Sequence, residues 1–106
     1  MGKKTALATI KRFCLAIEKR GIKLKQVILY GSFATGRHTE GSDIDLIVIS
    51  DDFFGKGYWE RIDILAAVIY EIFAPVEALA YTSREWKTTD SLIKTFAKKG
   101  QVVYSA

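Results

Sequence analysis

The feature that most constrains this chain is the segment at residues 43–50, whose sequence is DIDLIVIS. Beyond Asp45, apolar residues occupy both alternating faces of this segment, which is typical of a strand buried at the centre of a sheet. Shorter segments with strand character lie at residues 26–30, 76–81 and 101–104. The chain is therefore expected to form a small sheet of about four strands.

Helical patterns alternate with these strands. Residues 4–20 and residues 58–73 carry apolar side chains at helical spacing. Residues 51–57, which contain two Gly, are expected to form a loop. Ser83 is expected to be the N-cap of a further helical stretch, and residues 90–99 to form a last, basic helix. The order α-β-α-β-α-β-α-β predicts an α/β (α+β) fold, with helices flanking a small mixed sheet, and residues 1–106 forming one domain.

The composition excludes several classes of protein. Hydrophobic residues make up 49% and charged residues 26%, as in ordinary soluble domains, and Asp45 interrupts the best candidate for a membrane span. The single cysteine, Cys14, rules out an internal disulfide and fits a reducing compartment. The single histidine, His38, supports neither a zinc site nor a histidine-based triad. We expect a cytoplasmic protein without membrane association.

The net charge of +4 conceals a strong segregation of charge. Residues 1–25 hold eight Lys or Arg and one Glu, whereas residues 40–77 hold nine Asp or Glu and two basic residues. The basic first helix could touch nucleic acid, but such runs are more often solvated helix faces, so nucleic acid is not expected as a direct partner. Acids that cluster at strand ends need cations, so the acidic middle points to a metal site.

Asp43 and Asp45 are the best candidates for metal ligands. One residue apart on a strand, they point to the same face with Cα atoms roughly 6.5–7 Å apart. Two such carboxylates can share a pair of magnesium ions ~3.5–4 Å apart. Pairs of this kind also occur as solvated turn residues, but that alternative explains poorly why they lie at the mouth of an apolar central strand.

A small polar turn, residues 31–38, precedes the two aspartates and suits the binding of phosphate. Gly31 permits close approach of the backbone, the start of the following helix offers free N–H groups, and the Ser32 hydroxyl adds a donor. Gly36 and Arg37 follow one turn later, where Arg37 could add positive charge. Ser42 is a further candidate for nucleotide contact, although a local bond to the backbone is the simpler interpretation.

Gly31 and Ser32, ten intervening residues, and then Asp43 and Asp45 resemble the signature of the DNA polymerase beta-like nucleotidyltransferase superfamily. The length and element order are similar to its minimal members, the MNT proteins, often encoded beside HEPN-domain partners. The resemblance implies a polymerase beta palm-like fold, ATP or another nucleoside triphosphate as substrate, and two magnesium ions. It also implies that Gly31 and Ser32 hold the β- and γ-phosphates, and that the two aspartates hold metal at the α-phosphate.

The same resemblance implies a third catalytic and metal-binding carboxylate on a later strand. Glu77 is the best candidate because it alternates with Leu79 and Tyr81 on one face of the third strand. Family members usually carry Asp there, so Glu77 departs from the pattern and puts catalytic competence in question. A solvated strand-end glutamate is the alternative, and Asp63 is the next candidate for the role.

The predicted activity is transfer of a nucleoside monophosphate, AMP from ATP, to a hydroxyl group. By resemblance, the acceptor is a tyrosine of a HEPN-type toxin and the protein is its antitoxin. A chain of this length has little surface left for an acceptor, so a partner or a homodimer is expected to contact the wide apolar stripe through Ile64 and Val68. The alternatives are a non-catalytic antitoxin and a regulatory nucleotide-binding module.

Overall fold

The computed structural model describes the whole chain, residues 1–106, as a four-stranded mixed sheet with five α-helices. The predicted fold class is confirmed. The elements are α1 (Lys3–Lys19), β1 (Gln26–Tyr30), α2 (Ser32–Thr35), β2 (Ile44–Ile49), a 3-10 turn (Asp51–Phe53), α3 (Tyr58–Ile72), β3 (Val76–Tyr81), α4 (Ser83–Thr88), α5 (Leu92–Ala97) and β4 (Gln101–Ser105).

The strands lie in the order β3-β2-β1-β4. Strand β2 pairs antiparallel with β1 and parallel with β3, and β1 pairs antiparallel with β4. Helix α3 makes the crossover that a parallel β2–β3 pair requires. Strand β2 is therefore interior, as its apolar sequence predicted, while β3 and β4 are the two edges of the sheet.

The main core lies between one face of the sheet and helices α1 and α3. Leu46 and Val48 of β2 pack there with Phe13 and Ile17 of α1, all of them fully buried. Cys14 belongs to the same core, and its burial, with a smaller effect of the nearby Glu18 charge, raises the pKa of its thiol to about 11. A thiol with so high a pKa is a packing group at neutral pH and a poor nucleophile.

A smaller apolar cluster covers part of the opposite face. Ile28, Ile47 and Ile49 of the sheet contact side chains that include Trp86 of α4 and Ile93 of α5. These two short helices lie over the half of the sheet that contains the carboxyl end of β2. None of the helices has the length and apolar character that crossing a bilayer would need.

Three local predictions are corrected by the structure. The N-cap of α4 is Thr82: its hydroxyl accepts from the Glu85 N–H, and the Glu85 carboxylate accepts from the Thr82 N–H. The Ser83 hydroxyl is buried without a partner and caps nothing. Residues 51–57, expected to be a loop, begin with the 3-10 turn, which the Ser50 hydroxyl caps by accepting from the Asp52 N–H.

The third correction concerns the contact surface proposed on α3. Val68 is fully buried in the main core and Ile64 is half-buried against it, so neither forms an outer stripe. The large apolar side chains that α3 and its end expose are Tyr58 (69% exposed), Trp59 (73%), Tyr70 (84%) and Phe73 (92%).

Candidate active site

Three polar side chains form a row across three neighbouring strands. In the sheet register Tyr30 of β1 lies opposite Asp45 of β2, and Asp45 lies opposite Glu77 of β3. Cross-strand neighbours point to the same face, so the hydroxyl and the two carboxylates share one side of the sheet. Asp43 lies two residues before Asp45, just outside β2. The structure thus places Glu77 beside Asp45, where the strand pattern predicted it.

The row carries negative charge that the protein does not neutralise. Burial, which is the largest cause, together with the charges of Glu77 and Asp43 and a hydrogen bond shared with Glu77, raises the pKa of Asp45 to about 6. Burial, with the charges of Asp45 and Glu77, raises the pKa of Tyr30 to about 12. The three ion pairs of the protein lie elsewhere. A cation bound at this row would relieve the repulsion.

Gly31 brings the turn after β1 into direct contact with Asp45. Its φ of +76° lies in the left-handed region that favours glycine. A Cβ built on Gly31 would collide with Oδ2 of Asp45 and lie 3.2 Å from its Cγ. A side chain at Gly31 would therefore displace the carboxylate, so the glycine sets how closely the phosphate-binding turn and the metal-binding strand approach each other.

Ser32 opens helix α2 directly beside this contact. No side chain caps the start of α2, and the Ser32 hydroxyl makes no hydrogen bond within the protein. The helix is held firmly by Phe33, which is fully buried and stacks on His38 with ring centroids 4.4 Å apart. The Lys3 ammonium also donates to the Phe33 carbonyl at 2.9 Å. The Ser32 hydroxyl is therefore a free donor at a fixed position.

Of the remaining predicted nucleotide-binding residues, Gly36 and Ser42 have clear local roles. Gly36 ends α2 in the left-handed conformation (φ +77°), a common helix stop. The Ser42 hydroxyl accepts from the Thr39 N–H at 2.8 Å and closes the turn before β2. Arg37 is exposed, and its guanidinium has no partner in the protein. Of the three, Arg37 is the one whose side chain is free for a ligand.

Asp63 is not brought to the site. It is exposed on α3, and α3 covers the face of the sheet opposite to the carboxylate row. The alternation along β3 therefore identified Glu77 correctly as the closer carboxylate. Tyr30, at the end of the predicted strand at residues 26–30, is a site residue that the sequence did not predict. The signal was its position directly before Gly31, at the end of the strand that pairs with β2.

The donor set suits a magnesium ion that a nucleotide helps to bind. No three His, Cys, Asp or Glu side chains form a ready-made metal cage in this structure. Magnesium commonly uses one or two carboxylates and takes its other ligands from water and substrate phosphates. Asp45 and Asp43, with Glu77 beside them, offer such oxygen ligands, and the free donor of Ser32 lies close by. The residues fit a metal held jointly by protein and triphosphate.

Comparison with known proteins places this arrangement in a family. Residues 7–102 match the family model described as "Nucleotidyltransferase domain". The chain belongs to this family. A relative in Methanocaldococcus jannaschii, named "Putative protein adenylyltransferase", is 29% identical over 99 residues, which cover 90% of this chain and 94% of the relative.

Two solved structures share the fold. A crystal structure described as a "putative nucleotidyltransferase" from Sulfolobus solfataricus has a TM-score of 0.74 at 17% identity, covering 97% of this chain and 83% of that one. A tri-AMPylated Shewanella oneidensis HEPN toxin in complex with its MNT antitoxin gives a TM-score of 0.59 at 14% identity, with coverage of 98% and 73%.

Proposed function

We propose that this nucleotidyltransferase transfers AMP from magnesium-bound ATP to a tyrosine hydroxyl of a HEPN-type toxin and so acts as its antitoxin. The observation that carries the proposal is the contact between Gly31 and Asp45. This contact brings the Ser32 hydroxyl, a free hydrogen-bond donor that can bind phosphate, next to a row of carboxylates whose charge the protein does not neutralise. The relative named for protein adenylyltransfer and the AMPylated toxin complex support the choice of AMP and of a HEPN-type acceptor.

Each residue has a distinct task in the proposed reaction. Gly31 and Ser32 hold the β- and γ-phosphates, and Arg37 can add charge at their edge. Asp43 and Asp45 hold the magnesium ions, with Glu77 as a third oxygen ligand. Bound magnesium would supply positive charge against the charge that develops on the α-phosphate and the leaving group.

The chemistry needs one proton acceptor. The tyrosine oxygen forms a bond to the α-phosphorus, the bond from that phosphorus to the bridging oxygen breaks, and pyrophosphate leaves. Glu77 lies next to Asp45 at the edge of the site and can take the proton of the hydroxyl. Its extra methylene, relative to aspartate, extends the carboxylate from an edge strand toward the acceptor side.

A second candidate function is a non-catalytic antitoxin or regulatory module that binds nucleotide and partner without transfer. It is favoured by Glu77, which stands where members of the family usually carry aspartate. In this case too the partner would be a HEPN-type protein or a second copy of the chain.

Mass spectrometry separates the two candidates. A HEPN-domain protein is incubated with the chain, ATP and magnesium, and its intact mass is measured. We expect an increase by one or more AMP groups that is located on tyrosine and absent with the Asp45→Asn variant. Stable complex formation without any added mass would favour the non-catalytic antitoxin.

A further inference from the structure

Strand β3 has a free edge next to the candidate active site. The Ile44 N–H donates to the Pro75 carbonyl, and the Ser50 N–H donates to the Tyr81 carbonyl. Backbone groups alternate in direction along a strand, so the odd-numbered residues of β3 face β2 and the even-numbered residues face outward. The N–H and carbonyl of Ala78 and the N–H of Ala80 therefore point away from the sheet.

The edge is unprotected along most of its length. Edge strands usually carry Lys, Pro or a bulge that prevents pairing with another chain. Strand β3, VEALAY, contains no Lys, Pro or bulge, its one charged residue is Glu77 of the candidate site, and its pairing with β2 is regular over all six residues. Only the carboxyl end of β3 is closed, where the Arg61 guanidinium donates to the Ala80 carbonyl at 3.4 Å and to the Glu85 carboxylate at 3.0 Å.

An apolar groove runs beside this edge. A concavity of about 480 Å³ is lined chiefly by apolar residues of α3 and β3, among them Tyr58, Ile62, Leu65, Ala78 and Ala80, and Arg61 and Glu85 line it as well. It is the right kind of space for one apolar side chain of a strand added to the edge. Backbone pairing together with a side-chain pocket is the arrangement by which sheet edges bind extended peptides.

We propose that the acceptor protein presents its hydroxyl on an extended segment that pairs with the free edge of β3. The proposal rests on the proposed function and specifies how that site receives its acceptor. The residue opposite Glu77 would point to the carboxylate face, while its neighbours in the segment would point toward the groove. Glu77 thus adjoins the added strand, as a residue accepting the acceptor's proton should.

The position of the edge also selects the length of the acceptor side chain. An added strand would lie about 10 Å from β2, twice the usual spacing of neighbouring strands, and β2 carries Asp45. A tyrosine that leans toward β2 brings its hydroxyl closer to Asp45 than a shorter side chain can, because the hydroxyl lies at the far end of a ring. A serine hydroxyl, one bond from Cβ, remains over its own strand. The geometry therefore favours tyrosine as the acceptor.

Binding is tested first, with a probe that cannot react. The probe is a fluorescent nonapeptide with a central Phe, flanked on each side by alternating Val and Thr. Ala78→Pro removes the outward N–H and leaves the bonds to β2 intact, and Ala78→Ser is the matched control that keeps the N–H. We expect Ala78→Pro to weaken binding about 5–10-fold, the effect of losing one backbone hydrogen bond, and Ala78→Ser to change it little.

Modified peptides test the same pairing on the unaltered protein. One probe is N-methylated on every second amide, and the other probe is N-methylated on the remaining amides. In an added strand only one of these two sets of N–H groups faces β3, so pairing tolerates methylation of the other set alone. We expect one probe to bind like the parent and the other to bind at least ~5-fold more weakly. Equal affinities for both probes, no binding of the parent, or unchanged binding by a folded Ala78→Pro protein would each overturn the proposal. If Ala78→Pro does not fold, the methylated probes decide.

Sedimentation and transfer assays separate the remaining outcomes. A dimer of the free protein that Ala78→Pro dissociates would assign the edge to a second copy and overturn the proposal. With ATP and magnesium, the corresponding Tyr peptide should be modified with a kcat/KM at least ~10-fold above that of N-acetyltyrosine amide, and the Ser peptide should not be modified. Binding of the Phe probe at the edge without any transfer to Tyr would refute the transferase and still support docking of an extended segment there.

Discussion

The acidic residues at the two ends of strand β2 have opposite electrostatic environments. At the carboxyl end, Asp51 accepts from the Ser83 N–H at 3.0 Å and lies 3.5 Å from the Lys25 ammonium, and Asp52 accepts from the Lys23 N–H at 2.6 Å. The hydrogen bond from Ser83, followed by the Lys25 charge, lowers the pKa of Asp51. At the amino end, Asp45 is repelled by its neighbours and its pKa is raised.

This difference distinguishes the acidic residues that stabilise the fold from those that are available to bind a ligand. The carboxyl-end acids join β2 to the segments that precede β1 and α4, and their partners belong to the chain itself. The amino-end acids have no such partner, although they belong to the same strand and the same acidic stretch of sequence. A protein tolerates uncompensated charge of this kind where a bound ligand supplies the compensation.

The largest effect is expected when Asp45 loses its charge. Asp45→Asn removes a metal ligand and should reduce AMP transfer at least ~10²-fold, while relief of repulsion keeps the fold as stable as wild type or more so. Transfer rate, calorimetric binding of ATP with magnesium, and thermal unfolding are compared. Asp52→Asn is the control at the other end, and it should leave transfer unchanged. Equal magnesium–ATP binding by Asp45→Asn and wild type would refute the metal site.

A selective effect is expected at Glu77. Glu77→Gln should slow transfer about 10²–10⁴-fold, the range for a positioned general base, because the acceptor loses its proton acceptor. ATP affinity should change far less, because Ser32 and the two aspartates still hold the triphosphate. Asp63→Gln, on the opposite face, should have the wild-type rate. Full activity of Glu77→Gln would mean that the protonated acceptor attacks without help from this carboxylate.

Near the carboxyl end of β2, a substitution is expected to change the stability of the fold instead of the transfer rate. The Arg61 side chain is only 15% exposed and donates to the carbonyls of Lys56 and Phe53 as well as to Glu85. Arg61→Met should lower the free energy of unfolding by about 2–3 kcal/mol, because it leaves partly buried acceptors unpaired. Chemical denaturation measures this, with the exposed Arg84→Met as control. A loss no larger than that of Arg84→Met would show that the network contributes little.

Much of this comparison could be predicted from the sequence, for physical reasons. Asp45 stood out because a carboxylate on an apolar central strand has no structural explanation, and alternation along β3 placed Glu77 on one face. Pairing partners were beyond reach, so the opposition of Tyr30 to Asp45 was missed. Val68 was misassigned because the polar residues of α3 occupy only a narrow face, so the sequence does not show which part of the wide apolar surface meets the sheet.

A smaller effect on binding is expected at Ser32. Ser32→Ala removes one hydrogen bond to a charged phosphate and should weaken triphosphate binding roughly tenfold, equivalent to about 1.4 kcal/mol. Stability should not change, since the hydroxyl makes no bond within the protein. Ser42→Ala, whose hydroxyl closes a turn, is the control that should show the reverse pattern. If Ser32→Ala lowers the melting temperature and leaves affinity unchanged, Ser32 belongs to the fold.

The smallest effect is a dependence of stability on pH with opposite signs at the two ends. The pKa of Asp45 is raised from 3.8 to about 6 in the folded state. Between these values the folded protein binds more protons than the unfolded one, so this carboxyl destabilises the fold above pH 6, and the penalty disappears as the pH falls toward 4. Asp51, whose pKa is lowered, contributes stability that is lost as the pH falls.

Variants at each end separate the two contributions in metal-free buffer. Asp45→Asn should melt above wild type at pH 8, and the gap should close as the pH falls from 7 to 4. Asp51→Asn should melt at or slightly below wild type at pH 8 and converge on it in acid, and its effect is small because this carboxylate is largely exposed. Magnesium with ATP should reverse the order for Asp45, because a cation favours the charged carboxylate that repulsion disfavours. A constant gap for Asp45→Asn across this range would mean that Asp45 is not strained by its neighbours, and the contrast between the two ends of β2 would fail.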